Sequence, residues 1–244
     1  MSFFRALLFN AGFYLWTAVL GVLALPVLLM NRKKALALGR IWAGGTMALL
    51  RWTVGLTWEM RGRANLPPGA AIVAMKHQSA WDTIVLPLLF RDFAVVLKRE
   101  LLWIPVYGWY AKRSAAIPVD RAAGAPALRR MLADAARPKR EGRPIVIFPE
   151  GTRTAPGARR PYHPGVAALY KQLDVPLVPV ALNSGLFWGR RAFLKRPGRI
   201  VLEFLPPIPP GLDRRAAMAQ LQERIEEATG RLCREGLSTA PETR

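Results

Sequence analysis

Short apolar runs alternate with stretches of helical periodicity over most of this chain. Apolar runs of about four to eight residues bounded by turn-forming residues are typical of buried strands, and apolar positions three or four apart are typical of amphipathic helices. Strands are predicted at 57–61, 71–75, 93–97, 115–119, 144–148, 177–182 and 199–204. Helices are predicted at 80–90, 101–112, 125–136, 165–173 and 214–234. The alternation predicts a single α/β domain with a largely parallel central sheet flanked by helices.

The region before the first strand is predicted to be a hydrophobic, membrane-anchoring helical segment. Residues 6–30 carry no charge, which makes the run long enough to span a bilayer and too long for the core of a signal peptide. The basic run 31–34 follows, and then a second apolar stretch, 35–50, which an arginine and a pair of glycines interrupt. We therefore divide the chain into an anchoring segment, 1–56, and a domain, 57–244.

Two arrangements of the anchoring segment fit this pattern. In the first, one helix spans the membrane, and the basic run after it stays on the cytoplasmic side. In the second, both apolar stretches form a hairpin that dips into one leaflet. Either arrangement predicts an inner-membrane protein whose domain faces the cytoplasm.

The charge balance predicts an anionic partner. The chain has 36 Lys and Arg against 16 Asp and Glu, a net charge of +20. Nucleic acids and acidic membranes both attract such a protein, but basic stretches beside an apolar anchor favour the membrane, and no nucleic-acid-binding module is present. The single cysteine, Cys233, precludes an intramolecular disulfide, and no group of His, Cys and carboxylates has the spacing of a metal site. We expect no metal and no nucleic-acid partner, and the oligomeric state stays open.

The run KHQSAWD (76–82) places polar residues directly after a predicted buried strand. Residues five apart on a helix are separated by about 140° around its axis, so His77 and Asp82 meet only if the backbone turns between them. The alternative interpretation is helix punctuation, with Ser79 as the N-cap and Asp82 three residues further on, close to a capping box.

The run FPEGTR (148–153) follows another predicted strand. Gly151 permits a positive-φ turn, and Arg153 is suited to bidentate binding of a phosphate or carboxylate. The alternative is a simple polar turn in which Arg153 pairs with Glu150. Lys98 and the pair Asp120–Arg121 also end predicted strands. In a parallel sheet these carboxyl ends share one edge, where ligands usually bind.

Four blocks in this order resemble the bacterial 1-acylglycerol-3-phosphate acyltransferases, the PlsC-like glycerophospholipid acyltransferases: 76–82, 98–109 (KRELLWIPVYGW), 148–153 and 175–185 (VPLVPVALNSG). The resemblance covers roughly residues 57–205. This sequence departs from the family pattern at Lys76, where asparagine is usual.

The resemblance implies transfer of a fatty acyl group from acyl-CoA or acyl carrier protein to a lysophospholipid hydroxyl, with the acyl thioester as co-substrate and no other cofactor. His77 would be the general base, since it alone in these loops has an intrinsic pKa near neutrality, and Asp82 would orient it. Arg153, Lys98 and Arg121 would bind the acceptor phosphate.

The remaining site residues are also implied by the resemblance. Glu150, Gly151 and Thr152 would form the acceptor-site loop. Pro176 and Pro179 would line the acyl channel, and a plain core role is the alternative. His163 has no assigned role.

Three other functions stay open. A phosphate-free lysolipid, such as lyso-ornithine lipid, is an alternative acceptor. Ester hydrolysis is a second alternative, although the chain has no Gly-x-Ser-x-Gly elbow. A basic membrane-surface binding protein without catalysis is the third.

Overall fold

The structure, a computed structural model, describes residues 3–120 and 123–238. A helical hairpin precedes the sheet: helix α1 (Phe3–Leu23) leads through a 3-10 turn (Leu25–Leu29) into helix α2 (Arg32–Leu49). Helix α1 is long and apolar enough to cross a membrane, by length and composition, and most of its surface is exposed.

Tryptophans hold the two helices of the hairpin together. The indole N–H of Trp16 donates to the carbonyl oxygen of Trp42 at 3.0 Å, and the indole N–H of Trp42 donates to Thr17 Oγ1, also at 3.0 Å. A π-helical turn (Leu50–Val54) then ends at Gly55, whose φ of 76° lies in the left-handed region that glycine tolerates. The first strand starts directly after this turn.

The seven strands form one sheet in the order β1-β7-β6-β2-β5-β3-β4. The strands are β1 (Leu56–Arg61), β2 (Ile72–Met75), β3 (Ala94–Lys98), β4 (Ile117–Val119), β5 (Ile145–Ile147), β6 (Leu177–Leu182) and β7 (Gly198–Phe204). All neighbouring strands pair in parallel except β6 and β7, which pair antiparallel. The prediction of an α/β domain with a largely parallel sheet is confirmed. The carboxyl ends of β2 to β6 therefore lie on one edge.

The remaining helices connect or follow the strands. They are α3 (Trp81–Ile84), α4 (Leu86–Leu89), α5 (Tyr107–Arg113), α6 (Gly124–Arg140), α7 (Pro164–Leu173) and α8 (Arg214–Ser238). Two of the predicted helices are shorter than the sequence pattern indicates, and a proline lies at the interruption in each.

The predicted helix 80–90 is two short helices, α3 and α4. Pro87 has no N–H to continue the ladder, and the N–H of Leu88 bonds back to Val85 O at 2.9 Å, a 3-10 spacing. The predicted helix 101–112 is a 3-10 turn (Arg99–Trp103) followed by α5. Pro105 lies in the break, and Val106 adopts a φ of 64°, which a β-branched residue rarely does.

Alternate side chains of β2 face two separate cores. Val73 and Met75 belong to a cluster that includes Phe9 of α1 and Met47 of α2. The neighbouring residues Ile72 and Ala74 belong to a second cluster with side chains from α6, α7 and α8. The hairpin therefore covers one face of the sheet and the three long helices cover the other, so the hairpin is a layer of the folded domain.

Candidate active site

The turn between β2 and α3 brings His77 and Asp82 together. His77 Nδ1 lies 2.9 Å from Asp82 Oδ2. The five-residue spacing closes because the backbone turns from strand into helix between them, as the sequence analysis required. With Nδ1–H donating to the carboxylate, the imidazole presents the lone pair of Nε2 for accepting a proton.

The Asp82 carboxylate is fully buried and held by three further donors. The backbone N–H groups of Gln78 and Ser79 donate to Oδ2 at 2.6 and 2.8 Å, and Ser184 Oγ donates to Oδ1 at 2.5 Å. Hydrogen bonds to an ionised acceptor are the stronger kind, and they stabilise the charged form. Asp82 is thus fixed as an orienting carboxylate for the imidazole.

The two interpretations of this turn, dyad and helix punctuation, are both present. The bond from Ser79 N–H to Asp82 has the geometry of a capping-box return, and Ser79 Oγ accepts from Trp81 N–H at 3.2 Å. Ser79 is completely buried, so its hydroxyl has a structural role and no access to substrate.

The imidazole is positioned by Phe148 as well as by Asp82. The two rings stack with their centroids 4.1 Å apart and their planes 26° from parallel. Only 13% of the His77 side chain is exposed. This leaves one edge of the imidazole accessible, which suits a base that acts on a bound hydroxyl.

Glu150 does not pair with Arg153. Its side chain points inward and forms a buried ion pair with Lys76, with Lys76 Nζ 2.7 Å from Oε1. Its other oxygen, Oε2, accepts from the backbone N–H of His77 at 2.8 Å. Burial raises the pKa of Glu150, and the Lys76 ammonium opposes that rise. In this geometry Glu150, predicted to belong to the acceptor-site loop, supports the backbone of His77.

Lys76 contacts a second carboxylate, Glu226 of α8, at 2.6 Å. Tyr162 O–H donates to the same Glu226 oxygen at 3.0 Å. Lys76 is 1% exposed, and both carboxylates are buried. A lysine can stay charged at this depth because two carboxylates surround it. We refer to Lys76, Glu150 and Glu226 as the buried charge cluster.

Arg153 lies beside the dyad without a carboxylate at ion-pair distance among the described residues. Its pKa is lowered by burial, raised by the charge of Asp82 and lowered again by Arg190. The loop is held by Thr154 N–H, which donates to His77 O at 2.7 Å, and by Gly151, whose φ of 65° matches the predicted positive-φ turn. A half-buried guanidinium without a counter-ion is suited to bind an anionic ligand.

The other predicted site residues are less uniformly placed. Lys98 is half exposed and pairs with Glu100 at 2.9 Å, and Thr152 is partly buried in the Gly151 turn. Arg121 lies outside the described residues. Pro176 and Pro179 lie at the start and in the middle of β6, where their carbonyl oxygens accept from Ile72 and Leu205 N–H groups.

A cavity of about 1100 Å³ opens beside His77. Its walls are mostly apolar and come from α1, α2, β3, the α5 region and α6. Lys98, Asp120 and His163 are among the few polar residues that line it. Neither Pro176, directly before β6, nor Pro179, within β6, is among the residues that line this cavity. Their acyl-channel role stays a prediction.

Comparison with known proteins identifies the family. A model of the acyltransferase family matches residues 57–183. The chain belongs to the acyltransferase family. A 1-acyl-sn-glycerol-3-phosphate acyltransferase from Pseudomonas aeruginosa is 30% identical over 90% of this chain and 85% of its own length. The alpha enzyme of the same name from Ovis aries is 28% identical over 85% of this chain and 71% of its own.

The fold of this acyltransferase matches a solved structure. The crystal structure of the 1-acyl-sn-glycerophosphate (LPA) acyltransferase PlsC from Thermotoga maritima superposes with a TM-score of 0.76 and 21% identity, and covers 95% of this chain and 99% of that one. The family resemblance stated from the sequence is confirmed.

Sequence reasoning missed two residues near the dyad in this acyltransferase: Ser184, which contacts Asp82, and Glu226, which contacts Lys76. Ser184 was quoted within a family block but given no role, although it follows β6 at the same sheet edge as the other site loops. Glu226 lies in the predicted helix 214–234, whose charged residues are given no role in the sequence analysis. The unusual Lys76 before His77 was the available signal, because a lysine next to a buried strand requires a carboxylate partner.

Proposed function

We propose that the protein transfers a fatty acyl group from an acyl thioester, acyl-CoA or acyl carrier protein, to the sn-2 hydroxyl of 1-acyl-sn-glycerol 3-phosphate, which gives phosphatidic acid for phospholipid synthesis. One arrangement carries the proposal: His77 of the His77–Asp82 dyad lines an apolar cavity, and Arg153 beside the dyad has no carboxylate at ion-pair distance among the described residues. A lysophosphatidate has a matching hydroxyl, chain and phosphate. The names of the relatives agree with this acceptor.

His77 performs the proton transfer in the proposed reaction. Nε2 takes the proton of the acceptor hydroxyl while that oxygen attacks the thioester carbonyl carbon. The tetrahedral intermediate collapses, the carbon–sulfur bond breaks, and the departing thiolate takes the proton from the imidazolium. The Asp82 carboxylate stabilises the imidazolium between the two steps. No acyl-enzyme forms, in keeping with the buried position of Ser79.

Arg153 binds the acceptor phosphate in this proposal. A guanidinium that already lacks a carboxylate partner gains two hydrogen bonds on phosphate binding without breaking an ion pair. Lys98, which lines the cavity, gives up its contact with Glu100 to assist, and Arg121 is proposed as a third contact. Holding the phosphate fixes the hydroxyl against His77, which lowers the entropic part of the barrier.

The cavity is the proposed site of a fatty acyl chain. Its volume of about 1100 Å³ is at the upper end of the range of small-molecule pockets, about 300–1,000 Å³. Its apolar wall reaches from β3 to the hairpin, so a chain entering it from the bilayer side stays out of water throughout.

The position of α1 supports the hairpin arrangement over the single span. The ring of Phe3 stacks on Phe193 with centroids 5.3 Å apart, and Tyr110 O–H donates to Ala24 O, just past the other end of α1, at 2.5 Å. One globular domain thus touches both ends of the helix. A spanning helix would carry its ends to opposite faces of a hydrocarbon core about 30 Å thick.

We therefore propose that the hairpin lies in the cytoplasmic leaflet of the inner membrane, with the domain in the cytoplasm. Phe4→Cys in a Cys233→Ser background tests this. A membrane-impermeant maleimide added to intact spheroplasts leaves Phe4→Cys unlabelled if the hairpin is monotopic, and labels it if α1 spans. Lysed spheroplasts give the labelling control.

The activity is tested with purified protein in detergent micelles, a radiolabelled acyl thioester and 1-acylglycerol 3-phosphate. Formation of phosphatidic acid should fall by about 10²–10⁴-fold in His77→Ala, the range for loss of a general base. Arg153→Ala should raise the KM for the acceptor, whereas the exposed Arg159→Ala in the same loop should not. Transfer only to a phosphate-free lysolipid would keep the base and overturn the phosphate site. No transfer to any acceptor would overturn the proposal.

A further inference from the structure

Two loops of the globular domain expose apolar side chains next to the ends of α1. The first, which we call the 103–109 loop, runs from the end of the 3-10 turn into the first turn of α5; in it Trp103 is 73% exposed, and Ile104, Tyr107 and Trp109 are each nearly half exposed. The second is the 193–194 loop, in which Phe193 is 42% and Leu194 50% exposed. Neighbouring exposed apolar residues of this size usually mark a contact surface.

The 103–109 loop is attached to the C-terminal end of α1. The hydroxyl of Tyr110, directly after the loop, donates a hydrogen bond to the carbonyl oxygen of Ala24. Val106 Cγ1 lies about 3.1 Å from the position that a Cβ atom would take at Gly21. The exposed Val22 and Leu23 of α1 are close by along the helix. The apolar surface of the helix thus continues onto the domain.

The 193–194 loop is attached to the N-terminal end of α1 by a buried lysine. Lys195 Nζ donates to Asn10 Oδ1 at 2.8 Å and to Phe193 O at 2.9 Å. The same ammonium lies 5.0 Å from the ring centroids of both Phe9 and Trp188. These contacts fix the position of Phe193 along α1. The exposed Phe3 and Phe4 extend the same apolar surface.

Basic side chains flank both loops. The exposed Lys98, Arg99, Lys112 and Arg113 flank the first loop in sequence, with Glu100 and Asp120 paired to the first two, and the exposed Arg190, Arg191 and Arg196 flank the second. Aromatic rings with Lys and Arg at their margins are typical of the interfacial region of a membrane. Each basic residue near an acidic lipid surface contributes about 1 kcal/mol. Because the aromatic side chains of the loops continue the exposed apolar surface of α1, a lipid bilayer is the occupant that matches both the apolar centres and the basic margins.

We propose that the 103–109 and 193–194 loops insert into the interfacial region of an anionic bilayer, one at each end of α1, so that the catalytic domain itself is a membrane-binding element. This membrane contact is additional to the hairpin anchor, so the hairpin does not attach the protein by itself. The proposal also places the cavity next to the membrane, because four residues of the first loop line the cavity wall: Ile104, Pro105, Val106 and Tyr107. The cavity then meets the bilayer where the loop inserts.

Quenching of tryptophan fluorescence by brominated lipids tests the insertion. The full-length protein is reconstituted in vesicles of phosphatidylglycerol and phosphatidylcholine with or without brominated acyl chains. Trp103→Phe should lose part of the quenched emission, whereas Trp58→Phe, in strand β1 and in edge-to-face contact with Trp81, should not change it. Equal quenching in Trp103→Phe and wild type would overturn the insertion of the first loop.

A kinetic comparison tests both loops. Trp103→Ser/Trp109→Ser and Phe193→Ser/Leu194→Ser, whose residues are exposed and do not line the cavity, should each raise the apparent KM at least several-fold for a long-chain acceptor presented in anionic vesicles. Neither should change the KM for a short-chain, monomeric acceptor. Leu237→Ser, an equally exposed apolar residue on α8, is the control.

The two assays separate this inference from the proposed function. Wild-type turnover of the monomeric acceptor tests the function alone. Unchanged KM values in both loop variants with vesicles, alongside normal turnover, would overturn the inference and point to a protein partner for these loops. Equal loss with both acceptors would also overturn it, because it would assign the loops to the active site.

Discussion

Replacing Lys76 by methionine removes the cation from the buried charge cluster. Lys76 is 1% exposed and contacts Glu150 and Glu226 at 2.7 and 2.6 Å. Methionine has a similar length and no charge, so the volume is nearly kept while both carboxylates lose the ammonium. Because Glu150 also holds the backbone of His77, the change reaches the dyad.

The expected cost is large. Breaking a buried ion pair by removing one partner costs about 3–5 kcal/mol, because the remaining charge is left uncompensated. Total stabilities of domains are about 5–15 kcal/mol, so the loss is a substantial fraction. For a chain of this size each kcal/mol lowers Tm by about 2–4 °C, which gives a decrease on the order of 6–20 °C.

The assay is thermal unfolding in detergent micelles, followed by intrinsic fluorescence. Lys171→Met, an exposed lysine on α7, is the control and should unfold close to wild type. Lys76→Met/Glu226→Gln should recover part of the loss, since only one carboxylate then stays unpaired. A Tm of Lys76→Met within about 2 °C of wild type would refute the reasoning, since it corresponds to less than about 1 kcal/mol.

Three further predictions concern Ser184, Lys195 and the hairpin. Ser184→Ala removes a hydrogen-bond donor to the charged Asp82, and such a bond is worth about 1.5–3 kcal/mol. The kcat should therefore fall about 10- to 100-fold with the acceptor KM unchanged. An unchanged kcat would show that the hydroxyl does not orient the dyad. Burial lowers the pKa of Lys195 to about 8 from 10.5, so the charged lysine destabilises the folded state below pH 8 and this cost fades between pH 8 and 10.5. The Tm of wild type relative to Lys195→Met should therefore rise over that interval, and parallel profiles would contradict the shift. Deletion of residues 1–55 should give an aggregated protein even in detergent, because it uncovers one face of the sheet; a monomeric, cooperatively unfolding product in gel filtration and thermal scans would show that the hairpin is dispensable.

Most strands of this fold were predictable because they are buried on both faces. Strands such as β2 and β6 read as continuous apolar runs between turn residues, and nothing in their sequence competes with that pattern. The helices at 80–90 and 101–112 were predicted too long. In both, the apolar spacing continues through a proline, and the missing N–H overrides the spacing.

The dyad was predictable because its two members are five residues apart in one turn. Ser184 is 102 residues from Asp82, and Glu226 is 150 residues from Lys76, so their contacts depend on the order of strands in the sheet. The role of Pro176 and Pro179 is hard to predict from the sequence for a different reason. An apolar residue in a buried strand has the same sequence signal whether it faces a channel or the interior of the sheet.

The sharing of a core between the hairpin and the sheet has a consequence for biosynthesis. Phe9 and Met47 leave the ribosome well before Val180 and Trp188, which belong to the same core cluster. During that interval the hairpin has no sheet to cover, and we expect lipid to cover its apolar side chains. We therefore expect the domain to fold onto a hairpin that already lies at the membrane, which would make synthesis and membrane attachment a single process.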